Sequence, residues 1–280
     1  MTGKLWIVAL PIGNHGDISK RAIKILENVD IIAAEDTRTF NALGTSLCIK
    51  TKQVISYHEH NESSIAPKLI EKLKIGQNIA IVSDAGTPGV SDPGFRVVDL
   101  ALRENLPVSP IPGPSSLVTA LSVCPLGGNA FSFLGFAPKA GADRIQFLKN
   151  LGELPHKSVF FESPRRLLDT LKESLEHLGN RKVFIAREIT KEYESFYFGL
   201  LSELIDKFEL RPPKGEFVVC IDKPDFSKPS LSNEDLESKI IAALISGERA
   251  KTIQKRFQSS SGLSGKELYS LISELKARRD

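Results

Sequence analysis

Five short clusters in the first half of the chain carry residue types that can do chemistry, and each follows an aliphatic run. They are Pro11-Ile12-Gly13-Asn14, Glu35-Asp36-Thr37-Arg38, His58-Glu59-His60-Asn61-Glu62, the loop from Ser83 to Gly94, and Pro112-Gly113-Pro114-Ser115-Ser116. The fourth is the richest. Ser83-Asp84-Ala85-Gly86-Thr87-Pro88-Gly89-Val90-Ser91-Asp92-Pro93-Gly94 holds three glycines, two prolines, two aspartates, two serines and a threonine. Glycine lets backbone come close to a ligand. Proline presets the turns, and the small polar groups bond a ligand or the loop itself. An ordinary strand-to-helix connector is the alternative for any one cluster. Carboxylates and imidazoles in the other clusters suit proton transfer or the orientation of a polar substrate. The group Glu35 to Arg38 suits an internally satisfied cap and ion pair equally well. The group His58 to Glu62 also suits a helix start capped through Asn61 or Ser63.

Several chemistries are disfavoured. There is no G-x-x-x-x-G-K-[ST] loop and no strand followed by G-x-G-x-x-G, which argues against ATP or GTP cleavage and against NAD. Small backbone-lined loops without a phosphate cradle fit a nucleoside with an uncharged tail. His58 and His60, with Glu59 and Glu62, supply two metal ligands at most. The remaining histidines, His15, His156 and His177, are scattered, so no metal site is expected. Cys48, Cys124 and Cys220 are far apart, odd in number and flanked by apolar residues, which reads as packed free thiols in a reducing cytoplasm. In the second half, Arg165-Arg166 follows Ser163-Pro164, where a capping serine and a first-turn proline predict a helix start. Arginine there does not favour the helix dipole, so either an external anion or a solvated face explains it. Arg187-Glu188 and Lys191 form a further charged group.

The elements that position these clusters follow from periodicity. Leu5 to Leu10, Ile31 to Ala34, Val54 to Tyr57, Asn78 to Val82 and Val108 to Ile111 read as strands, several of them continuously apolar as in parallel sheets. Helices alternate with them: one capped by Asp17, one bearing Ile65, Leu69 and Leu73 and stopped at Gly76, one from Phe95 to Leu102, and one from Leu117 to Val123. That alternation predicts a parallel sheet covered on both faces. In such a sheet the clusters gather at one edge, where open α/β folds bind ligands. The second half, from Cys124 to Lys223, has strands at Ala130 to Phe136, Lys157 to Glu162, Val183 to Ala186, Tyr193 to Phe198 and Phe217 to Ile221. The last two are expected to pair in a mixed α+β sheet. Pro224 to Pro229 reads as a linker, and Leu231 to Asp280 as three helices. The domains expected are 1–123, 124–223 and 230–280.

The chain has 280 residues, a net charge of +3, 41% hydrophobic and 25% charged residues, as in a soluble globular protein. The charge is too small to imply nucleic acid by itself. No apolar run reaches membrane-spanning length and none at the start resembles a signal segment, so a cytoplasmic protein is expected.

Taken together, the five clusters resemble the tetrapyrrole methylase superfamily. Phe161-Glu162-Ser163-Pro164-Arg165-Arg166-Leu167, Ala186-Arg187-Glu188-Ile189-Thr190-Lys191 and Lys214-Gly215-Glu216 continue the match, which runs from Leu5 to about Asp222. More narrowly, the chain resembles the bacterial branch that methylates the ribose 2′-oxygen of a cytidine in 16S ribosomal RNA. Where the small-molecule branches carry Gly-Asp-Pro, this chain has Asp84-Ala85-Gly86-Thr87-Pro88, a departure that points to RNA rather than tetrapyrroles. The helical tail resembles the helix-turn-helix-like segment of that branch.

The resemblance implies a two-domain class III methyltransferase fold: a parallel-sheet α/β domain, a mixed-sheet domain and a small helical tail. It implies S-adenosyl-L-methionine as cofactor and a homodimer acting on 16S rRNA or the small ribosomal subunit. The cofactor set would be Pro11, Gly13, Asp84, Ala85, Gly86, Thr87, Pro88, Ser91, Asp92, Ser115 and Ser116. Arg38, Asn61, Glu62, Arg165 and Arg187 would meet substrate. Methyl transfer would be an in-line displacement in which alignment does much of the work, with a base to take the hydroxyl proton. Glu35, Asp36, His58, His60 and Lys191 are the candidates. In the tail, Arg249, Lys251, Lys255 and Arg256 form a window of four cations without an acid, a candidate RNA contact. Rival readings are a methyltransferase for a small tetrapyrrole-type metabolite and a non-catalytic RNA-binding assembly protein.

Overall fold

The computed structural model describes residues 1–211, 214–224, 233–257, 261 and 265–278, without the side chains at 233–235, 255 and 266. The chain divides into two compact units, Met1–Lys223 and Pro224–Asp280.

The first unit opens with β1 (Leu5–Val8), α1 (Lys20–Asn28), β2 (Ile31–Ala34), α2 (Thr37–Ser46), β3 (Val54–Ser56), α3 (Glu62–Lys74), β4 (Ile79–Val82), α4 (Phe95–Arg103), β5 (Val108–Ile111) and α5 (Ser116–Ser122). Its five strands form a wholly parallel sheet in the order β3-β2-β4-β1-β5. The continuous apolar runs are explained by cover on both faces. In β4, Ile79 and Ile81 pack with Leu69, Leu73 and Val97 of α3 and α4. Ala80 and Val82 point the other way, towards Leu26 of α1 and Phe40 of α2.

The helix starts depart from the sequence expectations in detail. Ser19, not Asp17, caps α1: its Oγ accepts the Ala22 N–H at 3.0 Å. Asp17 closes a short 3₁₀ turn, His15–Asp17, that Asn14 caps by accepting the Gly16 N–H at 2.9 Å. Asp36 caps α2, a helix whose periodicity was not legible among Thr37-Arg38-Thr39. Asn61 stands before α3 but turns back, accepting the His58 N–H at 2.9 Å and donating to the Ser56 carbonyl at 3.2 Å.

The second half adds β6 (Phe131–Phe136), α6 (Ala142–Glu153), β7 (Lys157–Glu162), α7 (Leu167–Leu178), β8 (Lys182–Arg187), β9 (Ser195–Leu200), α8 (Leu201–Leu210) and β10 (Phe217–Ile221). The sheet order is β6-β7-β10-β8-β9, with β6 parallel to β7 and the other pairs antiparallel. The strands expected to pair with each other, β9 and β10, are not neighbours. All five residues of β10 are buried, which suits the centre of the sheet, whereas Phe196 and Phe198 of β9 are exposed, which suits its edge. One face carries α6, α7 and α8, with Leu151, Leu171 and Phe208 in the core. The other face, through Val159, Phe184 and Val218, packs on Ile12 and on Leu117 and Ala120 of α5. A small shared core therefore joins the two sheets.

Helix α7 begins three residues later than the Ser163-Pro164 signal predicts. The Ser163 carbonyl accepts the amides of Arg166 and Leu167 at 3.1 and 3.0 Å, so residues 163–166 form a turn. Cysteines 48, 124 and 220 are free thiols, but Cys48 is exposed rather than packed.

In the second unit, α9 (Asn233–Ile245), α10 (Ala250–Phe257) and α11 (Gly265–Ala277) bury Ile240, Ile253 and Ile272 together. The linker reading at Pro224 to Pro229 falls, beyond Pro224, outside the described residues. Arg256 is not a free cation: its Nη1 pairs with Glu248 at 2.7 Å. The Lys255 side chain lies outside the described residues. Among the described residues no helix is long and apolar enough to cross a membrane.

Candidate active site

The strand order has one place where neighbouring strands send their chains in opposite directions. From β2 the chain leaves outwards to β3, and from β4 it crosses over β1 to β5. Such switch points open a crevice at the carboxyl ends of the strands. The loops there are laced together. The Asp36 N–H donates to Asp84 Oδ1 at 3.0 Å, and the Asp84 N–H donates to Glu35 Oε2 at 3.2 Å. Leu10 and Gly86 exchange backbone hydrogen bonds of 2.8 and 3.0 Å. Gly86 holds φ at +79°, a conformation that favours glycine. Thr87 Oγ1 donates to the Pro114 carbonyl at 3.1 Å, tying in the fifth cluster. Gly113 lets that cluster close on β1, since a Cβ there would lie 2.9 Å from Ala9 Cβ.

A cavity of about 410 Å³ lies over this lacework, between the strand ends of the two sheets. From the first half it is lined by Ile12, Glu35, Asp84, Ala85, Gly86, Thr87, Val90, Ser91, Asp92, Ser115 and Ser116. Phe136, Phe161, Glu162, Ser163, Pro164, Ile189, Glu216, Phe217 and Val218 close it from the second half. The lining combines apolar surface with five carboxylates, and none of the lining residues is basic.

The carboxylates differ in how they are held. Glu162 is fully buried, paired with Arg166 at 2.8 Å, and it accepts from the Ser163 amide at 2.7 Å and from Thr170 Oγ1 at 2.6 Å. Glu216 pairs with Lys191 Nζ at 3.0 Å. Burial raises the Glu35 carboxyl above its ordinary range, against the Asp84 amide, and the Asp84 charge adds to the rise. Burial likewise raises Asp84, against the Asp36 amide. Asp92 rises furthest, to about 7, through burial first and then the charges of Glu35 and Asp84.

The predicted cofactor set is largely gathered here. Asp84, Ala85, Gly86, Thr87, Ser91, Asp92, Ser115 and Ser116 all line the cavity. Pro11 and Gly13 flank the lining residue Ile12, and Gly13 leaves room for the Lys191 side chain. A Cβ at 13 would stand 2.4 Å from Lys191 Cγ. Pro88 is buried behind the loop, against Gly94.

Of the five candidate bases only Glu35 lines the cavity. Asp36 caps α2 and is held at about 2, chiefly by the Arg38 side chain. His58 and His60 stack edge to face at 5.9 Å, outside the lining. Lys191 bonds both Glu188 and Glu216; burial opposes its charge, but those two carboxylates hold the ammonium form more strongly.

None of the five expected substrate residues lines the cavity. Arg38 pairs with Asp36, and Asn61 braces its own turn. Glu62 accepts from the buried Tyr57 hydroxyl at 3.4 Å and faces Arg96. Arg187 donates to the Lys214 carbonyl at 2.6 Å. Arg165 is exposed.

Residues 4–205 match the family model of the Tetrapyrrole (Corrin/Porphyrin) Methylases. Two relatives are each called "Ribosomal RNA small subunit methyltransferase I". The one from Synechocystis is 40% identical over 278 residues, covering 98% of this chain and 99% of that protein. The one from Thermotoga maritima is 46% identical over 219 residues, covering 78% of this chain and 98% of that protein. Among solved structures, uroporphyrin III C-methyl transferase from Thermus thermophilus, complexed with S-adenyl homocysteine, matches with a TM-score of 0.55. It is 18% identical and covers 78% of this chain and 97% of that one, a likeness of fold.

Proposed function

The chain belongs to the tetrapyrrole methylase family, and from that premise we propose that it is an S-adenosylmethionine-dependent methyltransferase acting on small-subunit ribosomal RNA. The acceptor is the 2′-oxygen of a cytidine ribose. The observation that carries the cofactor is the composition of the cavity. S-adenosylmethionine has a sulfonium and an ammonium group, and this site offers Glu35, Asp84 and Asp92 with no basic side chain in the lining. Small glycine-rich loops and apolar walls of Ile12, Ile189 and Val218 suit an adenosine, and about 410 Å³ lies within the range of small-molecule pockets. The cofactor supplies a methyl group already activated by positive sulfur.

The ribosomal RNA substrate follows from the relatives that match almost the whole chain. The protein acts in the cytoplasm as a homodimer on 16S rRNA or the small subunit.

The chain's residues bind, orient and shield. Asp84 is fixed by two backbone bonds and faces the cofactor's cationic end. The Ser115 and Ser116 end of α5 and the Gly86 backbone form the opposite wall.

Incubation with methyl-labelled S-adenosylmethionine and unmethylated small subunits, followed by nucleoside digestion, tests this reading. Label in 2′-O-methylcytidine is expected. Label in no RNA species, or only in a small tetrapyrrole, overturns it.

A further inference from the structure

Five carboxylates line the cavity, and four are already committed. Glu162 is saturated by Arg166, Thr170 and the Ser163 amide. Glu216 is paired with Lys191. Glu35 accepts the Asp84 amide and Asp84 accepts the Asp36 amide, so both brace the switch point. Asp92 is different. Its carboxyl lines the cavity, is only partly exposed, and meets no hydrogen-bond donor among the described residues.

Its placement is built rather than incidental. Ser91, just before it, is held at φ +65°, a left-handed conformation that is uncommon outside glycine. Pro93 follows, and Gly94 begins α4 at φ +145°. The loop is pinned at its near end by the Leu10–Gly86 exchange and by Thr87 on Pro114. A Cβ on Gly135 of β6 would lie 3.5 Å from Ser91 Oγ, so this stretch also abuts the second sheet. Asp92 is thus presented into the cavity by a constrained loop while its oxygens stay unengaged.

Resting on the methyl-transfer reading above, we propose that Asp92 is the proton acceptor of the reaction, in place of the candidates singled out by sequence. The acceptor hydroxyl oxygen forms a bond to the methyl carbon as the carbon–sulfur bond breaks, its electron pair going to sulfur. The hydroxyl proton passes to the Asp92 carboxylate, which later yields it to water. S-adenosylhomocysteine leaves neutral, so charge and atoms balance.

A base works best when its pKa lies near the working pH. Burial and the facing charges of Glu35 and Asp84 bring Asp92 there, at about 7. Two further charged groups act on those neighbours: His58 on Glu35, and Arg38 on Asp84. A sulfonium in the site would favour the ionised form that accepts the proton.

The test is single-turnover methyl transfer by the full-length protein on unmethylated small subunits, from about pH 5.5 to 9, at saturating cofactor. The label is located by nucleoside digestion, and cofactor affinity is measured separately by calorimetry. Wild type is expected to show an acidic limb of unit slope, with a midpoint between about 6 and 7. Asp92→Asn is expected to lose about 100-fold or more in rate and to lose the limb, with cofactor Kd changed by less than about threefold. Asp92→Glu should restore part of the rate and the limb.

Ribose label with no acidic limb in wild type overturns the assignment by itself, even if Asp92→Asn does not fold. So does a loss in Asp92→Asn that saturating cofactor repairs. Label on a base atom, with the limb still dependent on Asp92, supports the acceptor role and overturns the ribose reading. No label on any RNA from wild type overturns both.

Discussion

Replacing Asp92 by asparagine removes one charge and changes almost no volume, so its effect on stability isolates the electrostatics of the cavity. In the folded protein the carboxyl sits at about 7, against 3.8 for an unperturbed aspartate. A carboxyl raised in this way binds its proton more tightly when folded than when unfolded. Its contribution is fully present below about pH 4 and is lost as pH rises through 7. Asparagine has no such loss. The variant should therefore match wild type near pH 4 and become the more stable of the two by pH 8.

A three-unit shift would correspond to about 4 kcal/mol at full strength. Asp92 is partly open to the cavity, and solvent screening reduces the figure to about 1–2 kcal/mol. For a unit the size of Met1–Lys223, that is a rise in Tm of about 2–8 °C at pH 8. Thermal unfolding followed by near-UV circular dichroism at pH 5, 6, 7 and 8, without cofactor, reads it directly. A Tm difference that is constant across that range, or a variant less stable at pH 8, would refute the reasoning. A gain in stability on removing a functional charge is the expected mark of a site kept strained for chemistry.

Four other outcomes are expected. Asp84→Ala should weaken S-adenosylmethionine binding by about tenfold or more, because it removes a carboxylate facing the cofactor and the acceptor for the Asp36 amide; unchanged calorimetric affinity would mean the centre of the site lies elsewhere. Gly13→Ala should cost about 1–3 kcal/mol in urea unfolding, since the new Cβ would displace the Lys191 stem, and a variant as stable as wild type would show that the stem yields freely. Glu162→Gln should cost about 3–5 kcal/mol, or roughly 10 °C in Tm, by leaving the Arg144 and Arg166 guanidinium groups without their shared anion; a loss under about 2 °C would show that the network reorganises. Truncation after Lys223 should leave cofactor affinity intact, because the tail helices bury a core of their own. If Lys251 and its neighbours contact phosphates, the salt dependence of RNA binding should become shallower in that truncated form.

Much of the first sheet was legible because parallel strands buried on both faces read as unbroken aliphatic runs, and Ile79-Ala80-Ile81-Val82 is the clearest of them. The five clusters were legible for the same reason: each interrupts such a run with glycine, proline or charge. What stayed hidden was pairing. Nothing in Phe217-Val218-Val219-Cys220-Ile221 states that it inserts between β7 and β8, because sheet order is set by long-range packing rather than by local pattern. Helix starts slipped where two polar residues competed, as Asp17 and Ser19 did before α1. Ser163 behaved likewise: its Oγ accepts from Arg166 Nε at 2.9 Å instead of capping a helix. That slip matters, since it leaves Ser163 and Pro164 in the cavity wall.

The second half of the site was missed for a further reason. Phe136, Phe161, Ile189 and Val218 line the cavity with ordinary core residue types, and a sequence gives no sign of which core residue ends at a cleft. The charged residues beside them drew attention instead, and the structure shows most of these spent on one another: Arg38 on Asp36, Lys191 on Glu188 and Glu216, Arg166 on Glu162. The two aspartates of the central loop make the same point at one site. Asp84 and Asp92 are alike in type and neighbourhood, each a small acid among glycine, serine and proline. Only the partner at Asp84, the Asp36 amide from a strand 48 residues away in sequence, separates a bracing carboxylate from an unengaged one. A residue's chemistry is set by what it has left after its structural bonds are made. On that criterion the group to follow at this site is Asp92, whose carboxyl remains unspent in a cavity where every other one is taken.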